Sequence, residues 1–203
     1  MRLIDSHSHL FLEEFSEDLP QVIERARAVG VTHIFMPNID STTAGTMLSV
    51  CNTYKGYCFP MIGLHPTSVN ADYEKELEFV AYELESSKEY VAIGEIGMDL
   101  YWDKTFLKEQ QAVLDRQINW ALEYELPVVI HCRDAFDYIY KVLEPYKKSP
   151  LKGIFHSFTG GVEEASKILE FSDFFIGING VVTFKKSHLP EVLLEIPLER
   201  IVL

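Results

Sequence analysis

An alternation of short apolar runs and amphipathic helical stripes, seven or eight units over 203 residues, predicts an α/β protein with a (β/α)8 barrel fold. A second observation favours the barrel over an open doubly wound sheet. Residues capable of chemistry close one apolar run after another, as expected where every strand end opens on one face. A third is that no repeat, low-complexity tract or linker divides the chain, so residues 1–203 read as a single domain.

Each element has its own justification. Leu3 and Ile4 begin the first strand. Asp18 reads as the cap of a helix with Pro20 in its first turn and a stripe of Val22, Ile23, Ala26 and Val29; Gly30 ends it. Residues 31–36 read as strand two, 42–54 as a weaker helix and 59–64 as strand three, closed by His65-Pro66. Leu77, Val80, Ala81 and Leu84 form a helical stripe. Residues 90–96 make strand four and carry Glu95, and 105–124 make a long helix that stops before Pro127. Strand five spans 128–130 and ends at His131, after which Asp134 reads as an N-cap for a helix containing Phe136, Ile139, Tyr140 and Leu143. Residues 153–155 form strand six, ending at His156; a helix over 162–171, strand seven over 174–178, a short helix over 189–194 and strand eight over 200–203 complete the pattern. Complete barrels run to roughly 250 residues. A chain ending inside strand eight therefore reads as a barrel truncated there.

Bulk composition narrows the function. No apolar run is long enough to span a bilayer, and Asp5 follows the first apolar residues too soon for a secretory signal. Three cysteines, Cys51, Cys58 and Cys132, include no Cys-x-x-Cys pair, so reduced thiols in a cytoplasmic protein, with a monomer favoured, are expected. The net charge of −13 argues against a protein that coats nucleic acid, which needs basic surface. It does not exclude a nuclease, because metal ions can supply positive charge where a phosphate docks.

Five of the seven histidines fall at or near strand ends: His7, His9, His65, His131 and His156. His7 and His9 are two apart, so on an extended strand they face the same way. With Glu95 these residues suit two divalent ions, one held by His7, His9 and Glu95, the other by Glu95, His131 and His156, with the carboxylate bridging. Nitrogen and oxygen donors suit zinc, manganese, magnesium, nickel or cobalt. The alternative for Glu95 is an acid paired with a basic group, but its position between Gly94 and Gly97 implies a close approach there. His65 could hydrogen-bond substrate or transfer a proton, or be structural. Arg133, two past His131, could clamp a phosphate or pair with Asp134 or Asp137. Asp99 could orient a ligand histidine or cap a loop. Cys132 reads as core rather than ligand, and Lys185 and Lys186 as a solvated loop.

The ordered segments Asp5-Ser6-His7-Ser8-His9, Gly63-Leu64-His65-Pro66, Gly94-Glu95-Ile96-Gly97-Met98-Asp99, His131-Cys132-Arg133-Asp134-Ala135 and Phe155-His156-Ser157-Phe158-Thr159-Gly160 resemble the successive motifs of TatD-type metal-dependent hydrolases. Val181-Val182-Thr183-Phe184-Lys185 resembles the family's segment after strand seven. The resemblance implies a TIM barrel of the amidohydrolase-like type with a divalent-metal site. It also implies deoxyribonuclease activity, often exonucleolytic, on single-stranded DNA or 3′ ends. Family metal ligands map onto His7, His9, Glu95, His131 and His156. The family continues after strand eight with a Glu-Thr-Asp segment whose aspartate is a metal ligand, and the sequence ends at Leu203 before it. Impaired catalysis by the chain as written is therefore expected. Two alternatives are carried: a metal-dependent hydrolase of a small-molecule or aminoacyl ester or amide, and a non-catalytic metal-binding barrel.

Overall fold

The computed structural model describes residues 2–86 and 89–203. Among the described residues, eight parallel strands follow in chain order: β1 (Leu3–Asp5), β2 (Val31–Met36), β3 (Cys58–Pro60), β4 (Ile93–Asp99), β5 (Val128–Arg133), β6 (Gly153–Phe155), β7 (Phe174–Gly177) and β8 (Ile201–Val202). They pair as β1-β2-β3 and β4-β5-β6-β7-β8. Contacts at two seams join these sheets. Ile62 bridges Ile93 beyond the end of β3. At the other seam, the Ser6 N–H and hydroxyl both donate to the Leu203 carbonyl, at 3.2 and 2.6 Å. Strand neighbours thus follow one another around the fold, and the helices α1 (Leu19–Ala28), α2 (Ser41–Thr53), α3 (Tyr73–Ser86), α4 (Leu107–Glu123), α5 (Phe136–Leu143), α6 (Val162–Leu169) and α7 (Leu189–Val192) connect them. Among the described residues no helix is long and apolar enough to cross a membrane.

The strands read as continuous apolar runs because parallel strands are covered on both faces. All seven residues of β4 are buried. Ile139 and Leu143 of α5 and Ile23 of α1 are among the side chains buried by the helical layer. Full burial of each such side chain contributes about 1.5–3 kcal/mol.

Two expected caps differ. Asp18 makes no side-chain cap bond; it pairs with Arg25 instead, at 3.2 Å. Asp134 does not cap α5 either. It sits at φ 52 in the turn that leaves β5, and Ala135 occupies the cap position. In contrast, Asp40 caps α2 by accepting from the Thr42 N–H at 3.0 Å. Strand four runs three residues later than the apolar pattern suggests, and strand five continues through Arg133. Gly97 pairs with His131 and Asp99 with Arg133 across these two strands. The close approach at Gly94 and Gly97 is made by β5 itself. A Cβ on Gly94 would lie 2.9 Å from the Val129 Cβ, and one on Gly97 only 2.0 Å from the His131 carbonyl oxygen.

Candidate metal centre

The C-terminal ends of the strands converge on Glu95, which is 2% exposed. β4 delivers it from inside the barrel wall, and Asn38, fully buried just past β2, fixes its backbone. The Asn38 N–H donates to the Gly94 carbonyl at 3.1 Å, and the Glu95 N–H donates to the Asn38 carbonyl at 3.2 Å. The Asn38 side chain in turn donates to the carbonyls of Gly63 and Asp40, both at 3.1 Å, and accepts from the Thr43 hydroxyl at 2.9 Å.

The two carboxylate oxygens of Glu95 face different groups. Oε2 lies 3.0 Å from His7 Nε2 and 3.3 Å from His9 Nε2, and those two nitrogens are 3.1 Å apart. Oε1 lies 3.0 Å from His131 Nδ1, 3.6 Å from His65 Nε2 and 3.7 Å from His156 Nε2. β1 ends at Asp5, so His7 and His9 sit in the loop beyond it, yet they converge as two strand residues would. The His156 ring stacks on His7, with centroids 3.4 Å apart.

This donor set fits a divalent cation. Donors about 2.1 Å from a tetrahedral ion lie about 3.4 Å from one another. The mutual distances of 3.0–3.3 Å among His7, His9 and Glu95 are close to that. Without a cation, two facing imidazole nitrogens need a proton between them. A second compact group is His65, Glu95 and His131. Hydrogen bonding separates its members. The Thr67 backbone N–H donates to His65 Nδ1 at 3.2 Å, so that nitrogen is an acceptor and Nε2 carries the proton. His65 therefore presents an N–H to the cluster. His131 is arranged the other way: its Nε2 lies 3.0 Å from Asp99 Oδ2, so in the neutral ring the proton sits on Nε2 and Nδ1 offers its lone pair toward Glu95.

Without a cation the same imidazoles, His131 included, serve Glu95 as donors. Burial pushes the Glu95 carboxyl up, but hydrogen bonds from His131, His65, His7 and His9 outweigh it and hold the group well below the usual carboxylate range. Burial lowers the proton affinity of His131, and the carboxylates of Glu95 and Asp99 more than reverse it. Burial and the neighbouring His7 depress His156 to about 3, so its lone pair stays free. Cys132 packs against the core and its thiol is pushed up to about 12 by burial.

Arg133 does not pair with Asp134 or Asp137 among the described residues. Its guanidinium lies over the Tyr101 ring, 3.9 Å from the centroid, and 5.6 Å from that of Trp102. Lys185 and Lys186 are exposed in a turn. A cavity of about 320 Å³ opens beside His156, lined by Phe136, Tyr138 and the carboxylates Asp134, Asp137 and Glu164. Sequence reasoning missed Asn38, Thr67 and the Tyr101-Trp102 pair. Their available signals were a polar residue two past the end of strand two, a Thr two past His65, and adjacent aromatics just beyond Asp99.

A family model described as TatD related DNase matches residues 4–203. The chain is 36% identical over 202 residues to an uncharacterized metal-dependent hydrolase, YabD, of Bacillus subtilis (strain 168), covering 99% of this chain and 78% of that protein. It is 32% identical over 203 residues to a protein of Pantoea sp. (strain At-9b) named 3'-5' ssDNA/RNA exonuclease TatD, covering 99% and 77%. The crystal structure of YjjV, a TatD homologue from Escherichia coli K12, shares the fold with a TM-score of 0.90 at 30% identity, over 100% of this chain and 78% of that one. The family match takes in every member of the Glu95 cluster, from His7 to His156, and on that extent the chain belongs to the TatD related DNase family.

Proposed function

We propose that this single-domain chain is a metal-dependent nuclease that hydrolyses phosphodiester bonds of single-stranded DNA, and that His7, His9, Glu95, His131 and His156 would hold two divalent ions. The observation that carries this reading is the division of one buried carboxylate between two sets of imidazoles, His7 and His9 at Oε2 and His131 and His156 at Oε1. Zinc, manganese, magnesium, nickel and cobalt all suit these donors, and availability would select among them. Bound ions would supply Lewis acidity and bring the pKa of a water near neutrality. The chain's own groups do the rest. Glu95 keeps both oxygens charged and aimed, Asp99 fixes the His131 ring, and the His65 Nε2–H faces the space where a phosphate oxygen would sit. Arg133, held against Tyr101, offers N–H groups to the strand's backbone.

The relatives' names support the activity: an ssDNA/RNA exonuclease in one case, a metal-dependent hydrolase in another. The test is metal content and degradation of single-stranded DNA measured together, with Glu95→Ala as the comparison. Metal retention with measurable but impaired cleavage, both lost in E95A, is the expected result. Metal retention with intact DNA would overturn the substrate assignment. In that case the acidic cavity of about 320 Å³ beside His156 favours a small ester or amide carrying positive charge, and an ester panel competed with DNA decides between them.

A further inference from the structure

We infer that Tyr101, Trp102 and Arg133 form a stacking subsite for a base of single-stranded nucleic acid next to the metal cluster; this rests on the nuclease reading above. Trp102 is 77% and Tyr101 51% exposed, an unusual use of two adjacent large aromatics on a surface. They are not loosely held. The Tyr101 N–H donates at 3.1 Å to Asp99 Oδ1, the carboxylate whose other oxygen meets His131. The two rings meet edge to face at 4.6 Å, and the Arg133 guanidinium covers Tyr101. The Trp102 side chain also walls a cavity of about 160 Å³ whose other wall includes Pro66 and Thr67, the residues that follow His65. A planar group inserted there would stand beside the His65–Glu95–His131 cluster.

Charge selects the occupant. At a net charge of −13 the chain has little basic surface with which to gather a polyanion. The β5–β6 side of the cluster is the more hostile one, since Asp134, Asp137 and Glu164 line it. The β4–β5 side carries acid too, with Asp99 and Asp103 lining the cavity beside Trp102, but it sets two ring systems and a cation against them. Every base has a π-face, so stacking there is tolerant of sequence and contributes affinity that salt does not screen. Arg133 adds a cation within reach of the adjoining phosphate.

The experiment uses oligothymidylate and an abasic strand of the same length and charge. Binding to the whole chain is followed in EDTA by quenching of Trp102 fluorescence, with W102F giving the Trp120 background. Affinities are measured by anisotropy of labelled strands. Oligothymidylate is expected to bind more tightly than the abasic strand by roughly 5- to 150-fold, with a shallow salt dependence. Trp102→Ala should bring that ratio toward one, and Trp102→Phe should retain most of it. With divalent metal added, the ratio of cleavage rates on the two strands should collapse in W102A in the same way. A wild-type ratio of one, or an unchanged ratio in W102A, overturns the subsite. Base-dependent binding without cleavage of either strand leaves the subsite standing and removes the nuclease reading. Cleavage of both strands at equal rates does the reverse, and neither binding nor cleavage removes both.

Discussion

Gly97→Ala is a test of how the cluster is built. Gly97 sits at φ 138 and pairs with His131 across β4 and β5. A methyl there would lie 2.0 Å from the His131 carbonyl oxygen and 2.9 Å from its backbone nitrogen. Carbon and oxygen touch at about 3.3 Å, so β5 would have to retreat by about 1.3 Å at the residue that supplies a ligand. Overpacking of this kind costs about 1–3 kcal/mol, and a side chain at such a φ adds about 1–3 kcal/mol. The sum, roughly 2–6 kcal/mol, is a large share of the 5–15 kcal/mol of a typical domain. Gly45→Ala is the matched control: it is exposed in α2 with no heavy atom within 4 Å, and alanine there should stabilise by about 0.5–1 kcal/mol. Urea unfolding and metal content of both variants form the assay. A G97A midpoint at least about 1 M lower with reduced metal content, beside a G45A midpoint slightly raised, is the expected pair. A G97A protein with the parental midpoint and full metal content would refute this account of the β4–β5 contact.

Three further outcomes follow from the cluster. Glu95→Gln removes the charge from a buried group that five histidines contact, so it should cost about 3–5 kcal/mol in the metal-free protein and abolish metal retention, read by elemental analysis of dialysed samples. Asp99→Asn leaves every ligand in place but no longer fixes the His131 tautomer; a metal titration should show affinity lowered about 10- to 100-fold, and unaltered affinity would argue against the orienting role. His156 refuses a proton when folded, down to about 3 against an ordinary 6.5, so the unfolded chain binds more protons in between and metal-free protein loses stability as pH falls below 6.5. The slope assignable to this group is up to about 1.4 kcal/mol per pH unit, and urea midpoints of His156→Asn against the parent between about pH 7 and about pH 5 should show the parent falling faster.

Much of the fold and the cluster was legible because parallel strands in a barrel are apolar on both faces and stop where chemistry begins. That rule singled out Glu95, His131 and His156, although Glu95 and His131 lie inside β4 and β5 and only His156 directly follows its strand. It misplaced β4, expected over 90–96 and found at Ile93–Asp99, because a buried aspartate looks like the end of a strand. Asp99 continues the strand since Gln110 donates to its carbonyl at 3.2 Å while accepting from its N–H at 2.9 Å, partners supplied by a helix eleven positions on. The same shift explains Arg133. Extending β4 to Asp99 sets it opposite Arg133, so Tyr101 arrives under the guanidinium, a contact no local spacing announces. Asp134 followed the residue preference for caps, but the turn out of β5 needs φ 52 there, and asparagine or aspartate tolerates that conformation better than most residues.

The charge of the cluster bears on substrate binding as well as on metal binding. Glu95 and Asp99 contribute two negative charges, and the five histidines contribute none when neutral. With the histidines neutral, the metal-free site repels a phosphodiester, in keeping with the acidic chain around it. Two bound divalent ions would reverse the sign to a formal +2, which makes metal loading a condition for holding the phosphate. One pair of unit charges about 4 Å apart near a protein surface is worth about 4 kcal/mol before solvent is displaced, so a gain of about tenfold is a low expectation. Binding of a cleavage-resistant single strand, measured with and without divalent metal, tests this. The gain should appear in the parent, fall as salt rises, and vanish in E95Q, while the base-dependent part attributed to Trp102 persists in EDTA. Equal affinity in EDTA and in metal would mean that the phosphate is held elsewhere, and would detach the strand from the Glu95 cluster.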